Sequence, residues 1–330
     1  MTDLPGSASE MADPPGTGGR SAGEQPPNPG LPAMDLADPS FDPLAPSDHL
    51  RRRQLISRLF SAGQTTAALL AVAVLGVVVY SVAARAASVL SIGFLTTAPP
   101  KIAGAPGGGV APEILGTIVI VAIATAIAMP MGILIGLYLT EFAGRKSRPT
   151  VRLALDLLNG MPSILVGLFV FGLLVVGHHQ SGFAASFALA IIMLPLIARA
   201  TQEVLLLVPL NLREAAEALG VSHWRTVLGV VLPTARGGIL TATVLAVARA
   251  AGETAPLIFL SSLYNPSVVS LNPFGVLGLP NIPVYIFTAS EADESSGFAR
   301  AWGAAFVLLA FILLANIIGR TLNRRSALSR

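Results

Sequence analysis

The chain has 330 residues, 53% of them hydrophobic and only 12% charged, with a mean hydropathy of +0.71, which is far from the balance of a soluble domain and makes a bilayer its solvent. There is no cysteine, so disulfides and thiolate metal sites are excluded. The net charge of +3 and the pI near 9.7 do not point to nucleic acid, because the basic residues gather at the ends of apolar runs, where lipid contact and topology account for them.

Residues 1–50 hold ten prolines and six glycines and few large apolar side chains. Such a composition buries too little surface to offset ordering entropy, so this stretch is expected to be a disordered tail. No short apolar core follows a basic start, so it does not read as a secretory signal. Residues 51–330 are expected to form one membrane domain. A hydrocarbon layer about 30 Å thick needs about 20 apolar residues in helical form. Five uncharged runs meet that length: 59–84, 114–140, 157–177, 180–198 and 301–319. A sixth, 237–263, is long enough but carries Arg249 and Glu253. The expected fold class is therefore all-α, a polytopic protein with six transmembrane helices. Pro130, Pro162 and Pro195 are expected to interrupt spans two, three and four.

Between the first two spans lies "APPKIAGAPGGGVAPE". No strand precedes its glycines and no Gly-Lys-Ser/Thr follows, so it reads as a flexible connection rather than a phosphate-binding loop. No Walker-type signature occurs elsewhere, and the chain is not expected to hydrolyse ATP. The four histidines, His49, His178, His179 and His223, lack metal-ligand spacing. No metal site, acid/base dyad or activated nucleophile is expected.

The basic residues orient the spans. Those at positions 51–53 and 58, 145–152, 213–236 and 320–330 total fifteen on one side, against Arg85, Lys101 and Arg300 on the other. The positive-inside rule places both termini and the loop between spans four and five in the cytoplasm, and the acidic loop 264–300 outside.

That cytoplasmic loop contains "REAAEALGVSHWRTVLGVVLPTARGG", beginning at Arg213. Glu214, Ala215, Ala216 and Ala218 favour a helix and Gly220 suits its end, so a short helix is expected over 213–222. The spacing Glu214-Ala215-Ala216, three residues, Gly220, nine residues, Val230, one residue, Leu232-Pro233 resembles the EAA loop of ABC importer permeases, with Val230 in place of the usual isoleucine. Two further stretches, "LNGMPSILVGLFVFG" (158–172) and "LAVARAAGETAPLIF" (245–259), look like segments of the phosphate-specific ABC transporter permeases. The Ala255-Pro256 pair after Gly252-Glu253-Thr254 is similar to the PstA type of that family.

The resemblance implies the type I, MetI-like permease fold, with the 213–222 helix docking on a separate ATPase through Glu214, Ala215, Ala216, Gly220, Leu232 and Pro233. It implies four kinds of surroundings: a PstC-like second permease, a PstB-like ATP-binding dimer that holds the ATP and magnesium, a PstS-like extracytoplasmic phosphate-binding protein, and lipid. No cofactor of its own and no nucleic acid is implied. The expected location is the bacterial plasma membrane.

A charged side chain near the bilayer centre costs about 2.5–3.5 kcal/mol on insertion scales, so Arg249 and Glu253 need a partner or a task. Four residues apart, they are expected to share one helical face. Beside small residues at 246–252, Arg249 is expected to meet the anion with its donor fork and Glu253 to hold that fork and keep binding reversible. Thr254 and Ser163 complete the expected translocation set. Arg199 and Glu203, also four apart, are expected to play a structural part near the interface. A permease for molybdate or sulfate shares the EAA loop and stays open as an alternative, as does a proton-coupled transporter with Glu253 as carrier, which leaves the EAA block unexplained.

Overall fold

A computed structural model describes residues 48–100, 105, 107–263, 271–291 and 295–328. Most of the expected tail, and Asp293 and Glu294 of the acidic loop, lie outside the described residues. All described regular structure is helical. In chain order the helices are α1 (Asp48–Ala86), α2 (Ile92–Thr96), α3 (Ala111–Leu137), α4 (Ser147–Gly160), α5 (Ser163–Val170), α6 (Gly182–Leu206), α7 (Leu210–Ala218), α8 (His223–Thr226), α9 (Leu232–Ala250), α10 (Ala255–Leu260), α11 (Ile282–Ser290) and α12 (Ser295–Leu328). π-helical turns extend α3 over Tyr138–Phe142 and α5 over Phe171–Val175, and join α8 to α9 over Val227–Val231. Among the described residues, five helical stretches are long and apolar enough to cross a membrane, and α4 with α5 makes a sixth if that pair, bent by 96°, is one span.

The chain divides into Met1–Leu69 and Leu70–Arg330, with the division inside α1. In the first part, residues 52–69 are helical and exposed, with Leu55, Leu59 and Phe60 among the exposed apolar side chains.

In the second part, α6 is the central helix and packs most extensively on α3. Small residues permit that approach: a Cβ on Gly132 would lie 2.8 Å from the Ile197 side chain, and one on Gly136 would lie 2.7 Å from Thr201. Ile120, Ala124, Val166, Val170, Leu189, Met193, Ala246 and Leu257 form one buried core contributed by α3, α5, α6, α9 and α10. Pro130 and Pro195 lie inside α3 and α6, which continue through them. Of the three prolines expected to interrupt spans, Pro162 is the one at a break.

Irregular backbone at the Gly182 end of α6 is satisfied by side chains. Gln180 donates from Nε2 to the Phe259 carbonyl (2.9 Å), and its Oε1 accepts from the Ser262 and Leu263 N–H groups (2.9 and 2.7 Å). Asn281 donates to the Ser261 carbonyl (3.2 Å) and caps α11 by accepting from the Val284 N–H (3.1 Å). Irregular chain survives at membrane depth only where protein makes its hydrogen bonds in this way.

Arg300 belongs to α12 rather than to an exposed loop. It is 7% exposed and donates to the carbonyls of Ala105 (2.9 Å) and Gly107 (3.3 Å), tying down part of the stretch expected to be flexible. Burial pushes the neighbouring Tyr285 phenol above its ordinary value near 10; Arg300 opposes that rise and the buried Glu113 carboxylate adds to it.

Candidate functional site

Two helix breaks meet at one place. The first follows from Pro162, which disfavours helical geometry at Met161 and lacks an N–H: both residues are extended (ψ 134° and 132°), and α5 leaves α4 at 96°. The second precedes Pro256, which stands in the first turn of α10: α9 stops at Ala250 and α10 restarts at Ala255. The breaks are locked together at Gly167, where a Cβ would lie 2.6 Å from the Pro256 Cα. The stretches 158–172 and 245–259 therefore pack on each other.

A cavity of about 200 Å³ opens at this junction, lined by Leu158, Asn159, Met161, Pro162, Ser163, Val166, Ile192, Arg249 and Glu253. At about 30 Å³ per water, that is room for a small oxyanion with part of its hydration. The cavity gathers Arg249, Glu253 and Ser163. Thr254, half-buried at the start of α10, does not line it, and Asn159 and Ile192 do.

Arg249 and Glu253 do not sit on one continuous helix, as their spacing suggested. Arg249 is in the last turn of α9 and Glu253 lies in the break, with its N–H bonded to the Ala250 carbonyl (3.1 Å). They still pair, but Nε and Oε1 are 3.8 Å apart, beyond hydrogen-bond reach, and the Arg249 side chain is 58% exposed against 17% for Glu253. The guanidinium is thus oriented by a carboxylate without spending its fork on it. This arrangement can receive an anion and release it.

The second group of expected residues is elsewhere. Helix α7 begins at Leu210, three residues before the expected start, and ends in a Schellman motif: Gly220, at φ +75°, donates to the Glu217 carbonyl (2.9 Å) and Val221 to that of Ala216 (3.2 Å). Glu214 and Ala215 are exposed, Ala216 is buried, and Leu210, Leu219 and Trp224 add exposed apolar surface around them. Leu232 packs against the cluster of Leu137, Leu205, Val227 and Val231, and Pro233 directly follows the π-helical turn that joins α8 to α9. Glu214 with its neighbours and Leu232-Pro233 are thus the exposed and anchored ends of one cap on the bundle.

Arg199 pairs with Asp156 of α4, not with Glu203. Sequence reasoning overlooked Glu141, whose side chain is 2% exposed and pairs with Arg213 at 2.8 Å. Its only sequence signal is a lone carboxylate ending an apolar run beside Arg145, Lys146 and Arg148.

Residues 128–327 match the family described as the binding-protein-dependent transport system inner membrane component. The chain belongs to that family. It is a multi-pass membrane protein and a transport subunit, not an enzyme. Membership brings an ATPase and a solute-binding protein as partners. Among relatives, the phosphate transport system permease protein PstA 1 of Mycobacterium tuberculosis is 41% identical over 213 residues, covering 64% of this chain and 69% of its own. The permease protein PstA of Haemophilus influenzae is 39% identical over 248 residues, covering 74% and 85%. Among solved structures, an inward-facing MetNI methionine ABC transporter superposes with a TM-score of 0.54 at 18% identity, over 65% of this chain and 94% of that one. A bacterial alginate ABC transporter gives 0.58 at 13% identity, over 84% and 98%. These likenesses establish the MetI-like permease fold.

Proposed function

We propose that this chain is the PstA-type permease of an ATP-driven importer of inorganic phosphate. The observation that carries the reading is the convergence of Arg249, Glu253 and Ser163 on one cavity where two broken helices meet. The names of relatives near 40% identity support phosphate as the solute. In this reading Arg249 takes phosphate oxygens, Glu253 orients the guanidinium and limits affinity, and Ser163 and Asn159 add neutral hydrogen-bonding groups. Thr254 follows Glu253 immediately before α10. The chain forms half of the pore, and a PstC-like permease forms the rest. A PstS-like protein delivers phosphate from outside.

The termini and α7 lie on the cytoplasmic side, in keeping with the concentration of basic residues there. Residues 1–50 form a cytoplasmic tail and 51–330 the permease domain. Exposed Glu214 and Ala215, with Gly220 closing the helix, present α7 to a PstB-like ATPase dimer, while Leu232 and Pro233 hold its base.

Radiolabelled phosphate uptake in cells lacking this protein tests the reading. Wild type restores uptake; Arg249→Gln reaches the membrane at the same level and does not; Glu214→Lys loses the ATPase on co-purification. Normal uptake by Arg249→Gln overturns the pore assignment, and restoration of molybdate or sulfate uptake in place of phosphate overturns the solute.

A further inference from the structure

Glu141 and Arg213 form a second arginine–carboxylate pair that the cavity does not use. Glu141 lies in the π-helical turn that ends α3, and Arg213 lies on α7 immediately before Glu214. Nη1 of Arg213 is 2.8 Å from Oε1 and donates to Oε2 at 3.0 Å, and Nη2 donates to the Leu205 carbonyl in the last turn of α6 (2.9 Å). Both side chains are sheltered, 2% exposed for Glu141 and 18% for Arg213. His223 closes the group: Nε2 is 3.9 Å from Glu141 Oε2, Nδ1 is 3.5 Å from Glu217 Oε1, and the ring meets Phe142 edge-on at 5.5 Å. One guanidinium therefore fastens α7 to the ends of both α3 and α6.

A sheltered ion pair is a poor choice for stability alone, since apolar side chains of similar volume hold a helix as well or better. It has direction. Apolar contacts oppose exposure to water but let surfaces slide, whereas a fork bonded to two different elements moves them together. From Leu205, α6 runs thirteen residues to Ile192 on the cavity wall, about 20 Å at 1.5 Å per residue. Along the way α6 is meshed with α3 at Gly132 and Gly136.

We propose that Glu141 and Arg213 are positioning residues for transport, forming the tie through which displacement of α7 is handed to α3 and α6. The proposal rests on reading α7 as the element that docks on the ATPase. Without the tie, α7 still docks and ATP is still hydrolysed, but the cavity walls do not follow.

The test uses the complete transporter in proteoliposomes, with binding protein and inorganic phosphate, measuring ATP hydrolysis and phosphate uptake in the same vesicles. Phosphate moved per ATP falls about tenfold in Glu141→Gln, within the 5–150-fold range typical of coupling between sites, while hydrolysis stays within about twofold of wild type. Arg213→Lys keeps the charge, loses the fork and falls between the two. The double variant E141Q/R213Q is no worse than the single ones, because the pair acts as one unit. An unchanged ratio in Glu141→Gln or Arg213→Lys overturns the proposal, as do additive losses in the double variant. If Glu141→Gln does not assemble, Arg213→Lys carries the measurement; if neither assembles, the pair is a folding element and the proposal falls. Failure of the docking reading is seen separately, as full ATPase recruitment by Glu214→Lys.

Discussion

Two arginine–carboxylate pairs in one chain are built in opposite ways. Arg213 and Glu141 sit 2.8 Å apart, sheltered, with a backbone carbonyl taking a further guanidinium donor. Arg249 and Glu253 sit 3.8 Å apart, with the guanidinium mostly exposed beside a cavity. The lesson is that residue type does not assign the role. The Arg213 fork is bonded to a carboxylate and a backbone carbonyl, whereas the Arg249 fork is oriented by Glu253 without a hydrogen bond to it, the feature on which the proposed anion site rests.

The largest break in that comparison comes from Arg249→Gln. Hydrogen bonds to charged groups contribute about 1.5–3 kcal/mol each, so losing a two-pronged contact lowers phosphate uptake by more than about 100-fold, with membrane level unchanged by immunoblot. Next is a pair of thermal-unfolding measurements on the purified complex. Glu141→Leu strands a sheltered arginine and costs about 2–3 kcal/mol, below the roughly 3–5 kcal/mol of a fully buried pair because Arg213 keeps some solvent contact. Glu253→Leu, facing an exposed partner at long range, costs less than about 1 kcal/mol. Equal losses in the two variants erase the distinction between the pairs.

Packing beneath the cavity gives a smaller effect. Gly167→Leu drives a side chain into the Pro256 backbone and destabilises by about 1–3 kcal/mol, with uptake lost at higher temperature before ATPase binding is. A similarly small effect comes from Gly220→Ala, which places a Cβ on a left-handed residue at the end of α7 and costs about 1 kcal/mol, read as a lower melting temperature of the assembled transporter.

Much of the architecture was legible because a bilayer imposes long apolar runs. The runs 59–84, 114–140 and 301–319 fall within helices, and 180–198 does so from Gly182 onward. Where a run was not one straight helix, local chemistry gave a partial signal. Pro162 breaks the helix and Pro130 and Pro195 do not, although all three lie in apolar sequence. Exposure does not sort them, since Pro130 and Pro162 are both exposed and Pro195 is buried. The end of α9 at Ala250 was likewise obscured: the helical spacing of Arg249 and Glu253 does not show that Glu253 lies in a break, with its N–H bonded to the Ala250 carbonyl. Arg199 was matched with Glu203 by spacing, but a partner on another helix, Asp156, is nearer.

By itself, the sequence determined the solvent, the helical class, the EAA block with its glycine stop and the presence of charges that a membrane helix does not carry without cause. These follow from composition and from spacing along one chain, where the physics is local. Only the tertiary structure decided which charges meet. It brought Glu141 to Arg213 across 72 positions and set Asn159, Ser163 and Arg249 around one cavity. Pairing of that kind depends on how the helices pack, because an ion pair or a cavity wall is defined by distances in space that no periodicity encodes.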